Sequence, residues 1–111
     1  MGTKQTEKIV KNIRAFKKAI KEKFAVDSMI LFGSAAKGKM TEHSDVDIIV
    51  VSKKYSSRNF FEIVPLLYDE WHTKQKIQMP VDILLYGKQE FEKLSKEVSI
   101  AAEAAKEGRR I

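Results

Sequence analysis

The sequence predicts a layered α/β domain in which helices pack on a small β-sheet. Three short apolar runs, rich in β-branched residues and bounded by glycine, proline or polar stretches, read as strands. Segments with apolar residues at every third and fourth position flank and separate them, as helices between strands do. Cysteine is absent, so neither a disulfide framework nor a thiolate metal site supports this core, and packing must do so.

Ile9, Ile13, Phe16, Ile20 and Phe24 form one apolar stripe, which predicts an amphipathic helix over residues 4–24 with lysines on its other faces. Ser28 to Phe32 is a short apolar run that stops at Gly33, the pattern of a buried strand. Small and polar residues from Gly33 to Ser44 read as a turn, a short helix and a loop. Asp45 to Val51 is the second strand, carried by Val46, Ile48, Ile49, Val50 and Val51. A polar connection, 53–59, leads to a helical pattern from Phe60 to about Lys76, with Phe60, Val64, Leu67 and Trp71 on one side. Pro65 interrupts that pattern by removing a backbone donor. Either the helix kinks there, or it begins near Val64 with Pro65 in its first turn. Pro80 introduces the third strand, Val81 to Tyr86, which ends at Gly87. A last helix, Lys88 to Lys106, turns Phe91, Leu94, Val98, Ala101, Ala102 and Ala105 inward and is stopped by Gly108. Apolar residues of the last two helices, Trp71 among them, are either core or a docking face.

The 111 residues suit one domain, 1–111, without repeats, linkers or low-complexity tracts. An apolar share of 43% suffices for a core and excludes a disordered chain. No apolar run is long enough to cross a bilayer, and the N-terminus lacks an apolar signal region, so a soluble cytoplasmic protein is expected. The net charge of +6 is uneven: residues 1–24 hold eight basic and two acidic side chains, and the remainder holds thirteen of each. Such a basic helix either serves as a solvated face or contacts nucleic acid by electrostatic attraction. No aromatic residues interleave with its lysines to stack bases.

Asp45 and Asp47 are two apart on a strand, so both carboxylates leave one face while Val46 and Ile48 point into the core. Carboxylates that close repel unless a cation lies between them, and hard oxygen ligands suit Mg²⁺. Asp82 stands inside the third apolar run, where an unpartnered charge is costly to bury. If the second and third strands are neighbours, Asp82 joins the pair. Taken singly, each acid has an ordinary structural explanation; the three together, with an apolar strand ending in Gly33-Ser34 upstream, do not. Gly33 lets backbone approach a ligand closely, the amides of a helix start attract anions, and the Ser34 hydroxyl and the Lys37 ammonium lie within the next turn. The spacing is not that of a P-loop.

Gly33-Ser34-Ala35-Ala36-Lys37-Gly38, then Ser44-Asp45-Val46-Asp47-Ile48, then Val81-Asp82-Ile83 resembles the signature of the DNA polymerase β nucleotidyltransferase superfamily, over about Ser28 to Tyr86. The resemblance implies the palm-like α+β fold of that superfamily, a small mixed sheet with the order α-β-α-β-α-β-α. Lacking the large substrate domains of polymerases, the chain is similar to the minimal nucleotidyltransferases. Many of these act as the antitoxin beside a HEPN-domain protein, some by adenylylating that partner. The resemblance implies that Gly33, Ser34, Lys37 and Ser44 bind the nucleotide and that Asp45, Asp47 and Asp82 are the catalytic residues. Asp45 and Asp47 would bind two Mg²⁺, and Asp82 would help bind one of them and activate the attacking hydroxyl. ATP is the implied substrate. Ala35 departs from the arginine often found at that position, whereas Lys37 keeps the expected basic character. Neither His43 nor His72 is required; His72 is expected at a helix surface.

Three functional readings follow. The first is Mg²⁺-dependent transfer of a nucleoside monophosphate, AMP from ATP, to a protein or RNA acceptor, as the antitoxin of a HEPN/MNT pair. The second is a weakly catalytic or non-catalytic subunit that neutralises a HEPN-type partner by forming a complex. The third is a nucleic-acid-binding domain that uses the basic helix over residues 4–24.

Overall fold

The computed structural model describes residues 3–33, 46–97 and 100–111. The basic N-terminal segment forms helix α1, Thr3–Ile20, and a turn then carries Phe24 into strand β1, Val26–Phe32. Strand β2 spans Val46–Ser52, and after a 3₁₀ turn at Ser57–Asn59 helix α2 runs Phe60–Asp69. A π-helical turn, Glu70–Lys74, extends α2 before strand β3, Val81–Gly87. Helices α3, Lys88–Leu94, and α4, Ile100–Glu107, precede a two-residue strand β4, Arg109–Arg110. The short helix expected between Gly33 and Ser44 lies outside the described residues.

The strands form one mixed sheet in the order β3-β2-β1-β4. β1 and β2 are antiparallel from Phe32↔Asp47 to Val26↔Ser52, and β2 and β3 are parallel from Val46↔Val81 to Ser52↔Gly87. Parallel neighbours need a long crossover, and α2 supplies it. The mixed α+β architecture agrees with the predicted class.

Alternation along the strands divides the core between two faces. On one face Met29, Leu31, Val46, Ile48, Val50, Ile83 and Leu85 meet the stripes of α1 and α2. All five residues of the predicted α1 stripe are buried. Trp71 is fully buried, its ring meeting Phe16 edge-on at 5.2 Å and 83°, and its indole N–H donates to the Met79 carbonyl at 3.0 Å. Trp71 is therefore core, not a docking face. On the other face Ile30, Ile49 and Val51 meet Phe91 of α3 and Ala101 and Ala104 of α4.

Of the two alternatives at Pro65, the structure has the helix that runs from Phe60; Pro65 and Phe61 both lie on its exposed side, away from the core. The elements after β3 depart from expectation. The last helix is two helices: the Ser95 hydroxyl donates to the Glu92 carbonyl at 2.8 Å and the chain turns, as serine competing with helical hydrogen bonds allows. The break resets the helical phase, so Ala104 is buried while Ala105, expected inward, is exposed. β4 was not anticipated. It begins after Gly108, where a Cβ would stand 2.4 Å from the Ala104 carbonyl oxygen and 2.5 Å from Ile30 Cγ2.

β3 is a border strand. The Ile83 N–H donates to the Tyr68 hydroxyl at 3.2 Å, so α2 engages one of its backbone donors. At the other end of the strands, the buried Ser52 hydroxyl donates to the Phe24 carbonyl at 2.7 Å and accepts from the Lys54 and Tyr55 amides.

Candidate functional site

β1 ends at Gly33 with φ +73°, a left-handed conformation that glycine adopts without steric cost. A Cβ on Gly33 would lie 2.5 Å from Asp47 Oδ2. Glycine is thus required twice, for the turn and for the close approach of a carboxylate. Phe32, the residue before Gly33, is the β1 partner of Asp47, so the bend sits directly against that side chain.

Asp47 and Asp82 are register partners on the parallel strands β2 and β3. Adjacent strands lie about 4.8 Å apart, and partners at the same register project from the same face. That is the face of Ile49 and Leu84, against which α3 and α4 pack. The Val46 amide donates to the Pro80 carbonyl at 3.0 Å, which fixes the two strand starts level with each other. Asp47 is half-buried and Asp82 exposed.

The exposure of Asp82 corrects the expectation of a charge buried in an apolar run. Val81 and Ile83 are buried on the opposite face, but Asp82 is the second residue of a border strand and is left open to solvent. Two carboxylates side by side, one of them open, repel each other and attract a cation. Their hard oxygens suit Mg²⁺. Ser34, Lys37, Ser44, Asp45, Ala35 and His43 lie outside the described residues. Among the described residues no three acidic or histidine side chains gather as a metal cluster; Asp47 and Asp82 are a pair. His72 is exposed, its Nδ1 3.1 Å from the Ile77 carbonyl and its ring stacked on Tyr68 at 6.3 Å.

A second polar cluster lies at the opposite ends of β2 and β3. The Glu90 carboxylate accepts from the Gly87 and Ser57 amides, each at 3.0 Å, and from the Ser57 hydroxyl. Desolvation raises its pKa, but these three bonds and nearby Arg58 outweigh it and hold Glu90 below the usual carboxylate range. Burial, then the Glu90 charge, pushes the Tyr86 phenol up. The spacing Gly87-Lys88-Gln89-Glu90, a helix start with glutamate three residues on, was the signal for this cap.

Comparison with known proteins gives a consistent result. The model of the family described as "Nucleotidyltransferase domain" matches residues 13–110. Two proteins of Methanocaldococcus jannaschii, each named "putative protein adenylyltransferase", are similar to this chain. One is 39% identical over 58% of this chain and 64% of its own length, and the other is 33% identical over 68% and 71%. The chain therefore spans just under two thirds of the first of them. The crystal structure of a "putative nucleotidyltransferase" from Sulfolobus solfataricus superposes with a TM-score of 0.55 at 19% identity, covering 83% of this chain and 78% of that one. This likeness bears on the fold alone. Among the described residues no helix is long and apolar enough to cross a membrane.

Proposed function

This chain belongs to the nucleotidyltransferase domain family, and from that premise we propose that it transfers AMP from ATP to a hydroxyl of a partner protein in the presence of Mg²⁺. The observation that carries the reading is the in-register pair Asp47–Asp82 beside the Gly33 bend. The names of the relatives support a protein as acceptor.

Asp47, Asp82 and Asp45 are the residues that would hold the metal, and the donor set fits: oxygen ligands only, one of them open to solvent. Bound there, Mg²⁺ supplies charge neutralisation on the phosphates and a lowered pKa at the acceptor hydroxyl. Gly33, without a side chain, admits the triphosphate close to backbone, and Ser34, Lys37 and Ser44 supply its donors. The acceptor oxygen bonds to the α-phosphorus, the bond to the bridging oxygen breaks, and pyrophosphate departs. In this reading Asp82 takes the hydroxyl proton, a role that its exposure supports. On this reading the chain is the antitoxin of a HEPN/MNT pair and the acceptor is its HEPN-domain partner.

One observation favours the alternative of a subunit that works by covering its partner. Phe61 and Leu66 on α2 are 89% and 47% exposed, apolar surface that a docked protein would bury. Incubation with α-labelled ATP, Mg²⁺ and the HEPN-domain protein separates the readings. Label on the partner, lost in Asp47→Asn and Asp82→Asn, supports transfer. A stable complex without label, unchanged in both variants, leaves only the covering role.

A further inference from the structure

The ends of β2 and β3 opposite the aspartates open into a cleft of about 550 Å³, bordered by Lys53, Lys54, Tyr55, Arg58, Lys88 and Glu90. Ser52 lies five residues along β2 from Asp47, or about 17 Å at strand rise. The cleft is therefore separate from the carboxylate pair. All four cations are exposed, and among the described residues only Lys88 has a carboxylate within ion-pair distance, Asp27 at 3.7 Å. The one acid in the cleft, Glu90, is already engaged by Gly87 and Ser57. Lys88 is paired with Asp27 and Arg58 lies near the Glu90 carboxylate, but four cations against one lining acid still leave the hollow net positive, a focused field for an anionic ligand.

The positive surface continues past the cleft. Lys54 Nζ lies 5.4 Å from the Tyr55 ring centroid, Tyr55 lies 6.5 Å from the Phe24 ring, and Lys23 Nζ lies 5.5 Å from that ring. This ridge joins the turn after α1 to the cleft; Phe24 is buried in the core beneath it, so of the two rings half-buried Tyr55 is the one a base can reach. The backbone amides that would cradle a single terminal phosphate are taken by Glu90, so long flexible cations remain to meet the ligand. Cations spread over an open cleft and a neighbouring ridge match a run of phosphodiesters, and a half-buried tyrosine among them offers a base a stacking face.

We propose that this cleft binds the backbone of single-stranded nucleic acid, with Lys53, Lys54, Arg58 and Lys88 as phosphate contacts and Tyr55 as the stacking platform. The proposal does not depend on nucleotidyl transfer. It is tested by fluorescence anisotropy of a labelled twelve-nucleotide uridine strand across a salt series. Three to four phosphate contacts give a plot of log affinity against log salt with a slope of about −2 to −3. The triple variant Lys53→Gln/Lys54→Gln/Arg58→Gln flattens the slope by about 2 and weakens binding about tenfold or more at low salt. Lys8→Gln/Lys11→Gln/Arg14→Gln on α1 and Asp47→Asn both leave binding as in the parent. If the triple variant melts early, the single variants Lys54→Gln and Arg58→Gln each carry a slope change of about 0.7. Four results would overturn the proposal: absence of salt-dependent binding, a slope unchanged in the cleft variants, loss of binding in the α1 variant or in Asp47→Asn, and displacement of the strand by polyglutamate at equal charge, which would mark an acidic protein as the occupant.

Discussion

Gly33→Ala separates what this glycine does for folding from what it does for the site. Alanine at φ +73° incurs a left-handed cost of roughly 1–2 kcal/mol, from which reduced freedom of the unfolded chain subtracts about 0.4–1 kcal/mol. The new Cβ would meet Asp47 Oδ2 at 2.5 Å and Asp47 Cγ at 3.5 Å, so the carboxylate must swing by the better part of an ångström. Asp47 is short and half-buried, and leaving its rotamer costs about 0.5–1.5 kcal/mol. The sum is a loss of about 1–2 kcal/mol, or roughly 4–8 °C in Tm for a chain of this size. The catalytic effect is larger, because misplacing a reacting group by about 1 Å can reduce rate about a hundredfold. Thermal melts by circular dichroism and initial rates of label transfer measure the two effects. In an Asp47→Ala background the oxygen is gone, and Gly33→Ala should there cost only the backbone share, a coupling of about 1 kcal/mol. Full activity in a Gly33→Ala protein that melts several degrees early would refute the reasoning, since Asp47 would then have moved without consequence. A coupling of zero would show that the close approach does not exist in solution.

Glu90 has a folded pKa below its unfolded value, so its stabilisation is present above about pH 4.5 and is lost as pH falls through the folded pKa. Glu90→Gln should lower stability by about 1 kcal/mol at neutral pH and flatten the acid limb of a denaturation series. Phe16→Ala removes the ring packed on Trp71 and should cost about 3–5 kcal/mol, read from urea midpoints at unchanged m-value. Without divalent cation, Asp82→Asn relieves repulsion with Asp47 and should raise stability by a few tenths of a kcal/mol. Mg²⁺ with ATP should raise the melting temperature of the parent but not of Asp47→Asn.

The parts of the fold set by strong periodicity were legible in the sequence. The α1 stripe and the cores of β1, β2 and β3 stand out because apolar side chains repeat with the helical or strand period and glycine or proline ends the run. The Gly33 turn was legible as well; the pairing of Asp82 with Asp47 was legible only on the condition that β2 and β3 are neighbours, since a two-residue period fixes a face and not a register. What escaped had weak or competing local signals. The last helix divides after Leu94, where the Ser95 hydroxyl donates to the Glu92 carbonyl, and no apolar pattern records that division. Arg109 and Arg110 pair with β1 only because Gly108 lets the chain pass close to Ile30, a tertiary fact. The exposure of Asp82 depends on β3 being a border strand, and strand order is not written in β3 itself. The basic cleft joins residues 53–58 to residue 88, which only the parallel pairing brings together.

The hydroxyl of Tyr68 on the Ile83 amide has a meaning beyond its own bond. A border strand rich in valine, isoleucine and leucine is a template onto which a strand from another molecule can add, the first step toward fibrous association. Each backbone donor engaged from within the molecule is one rung fewer for the newcomer. Solubility at high concentration thus has a guardian in a single aromatic side chain, and the Tyr68→Phe protein would keep its fold while offering a bare amide to its neighbours.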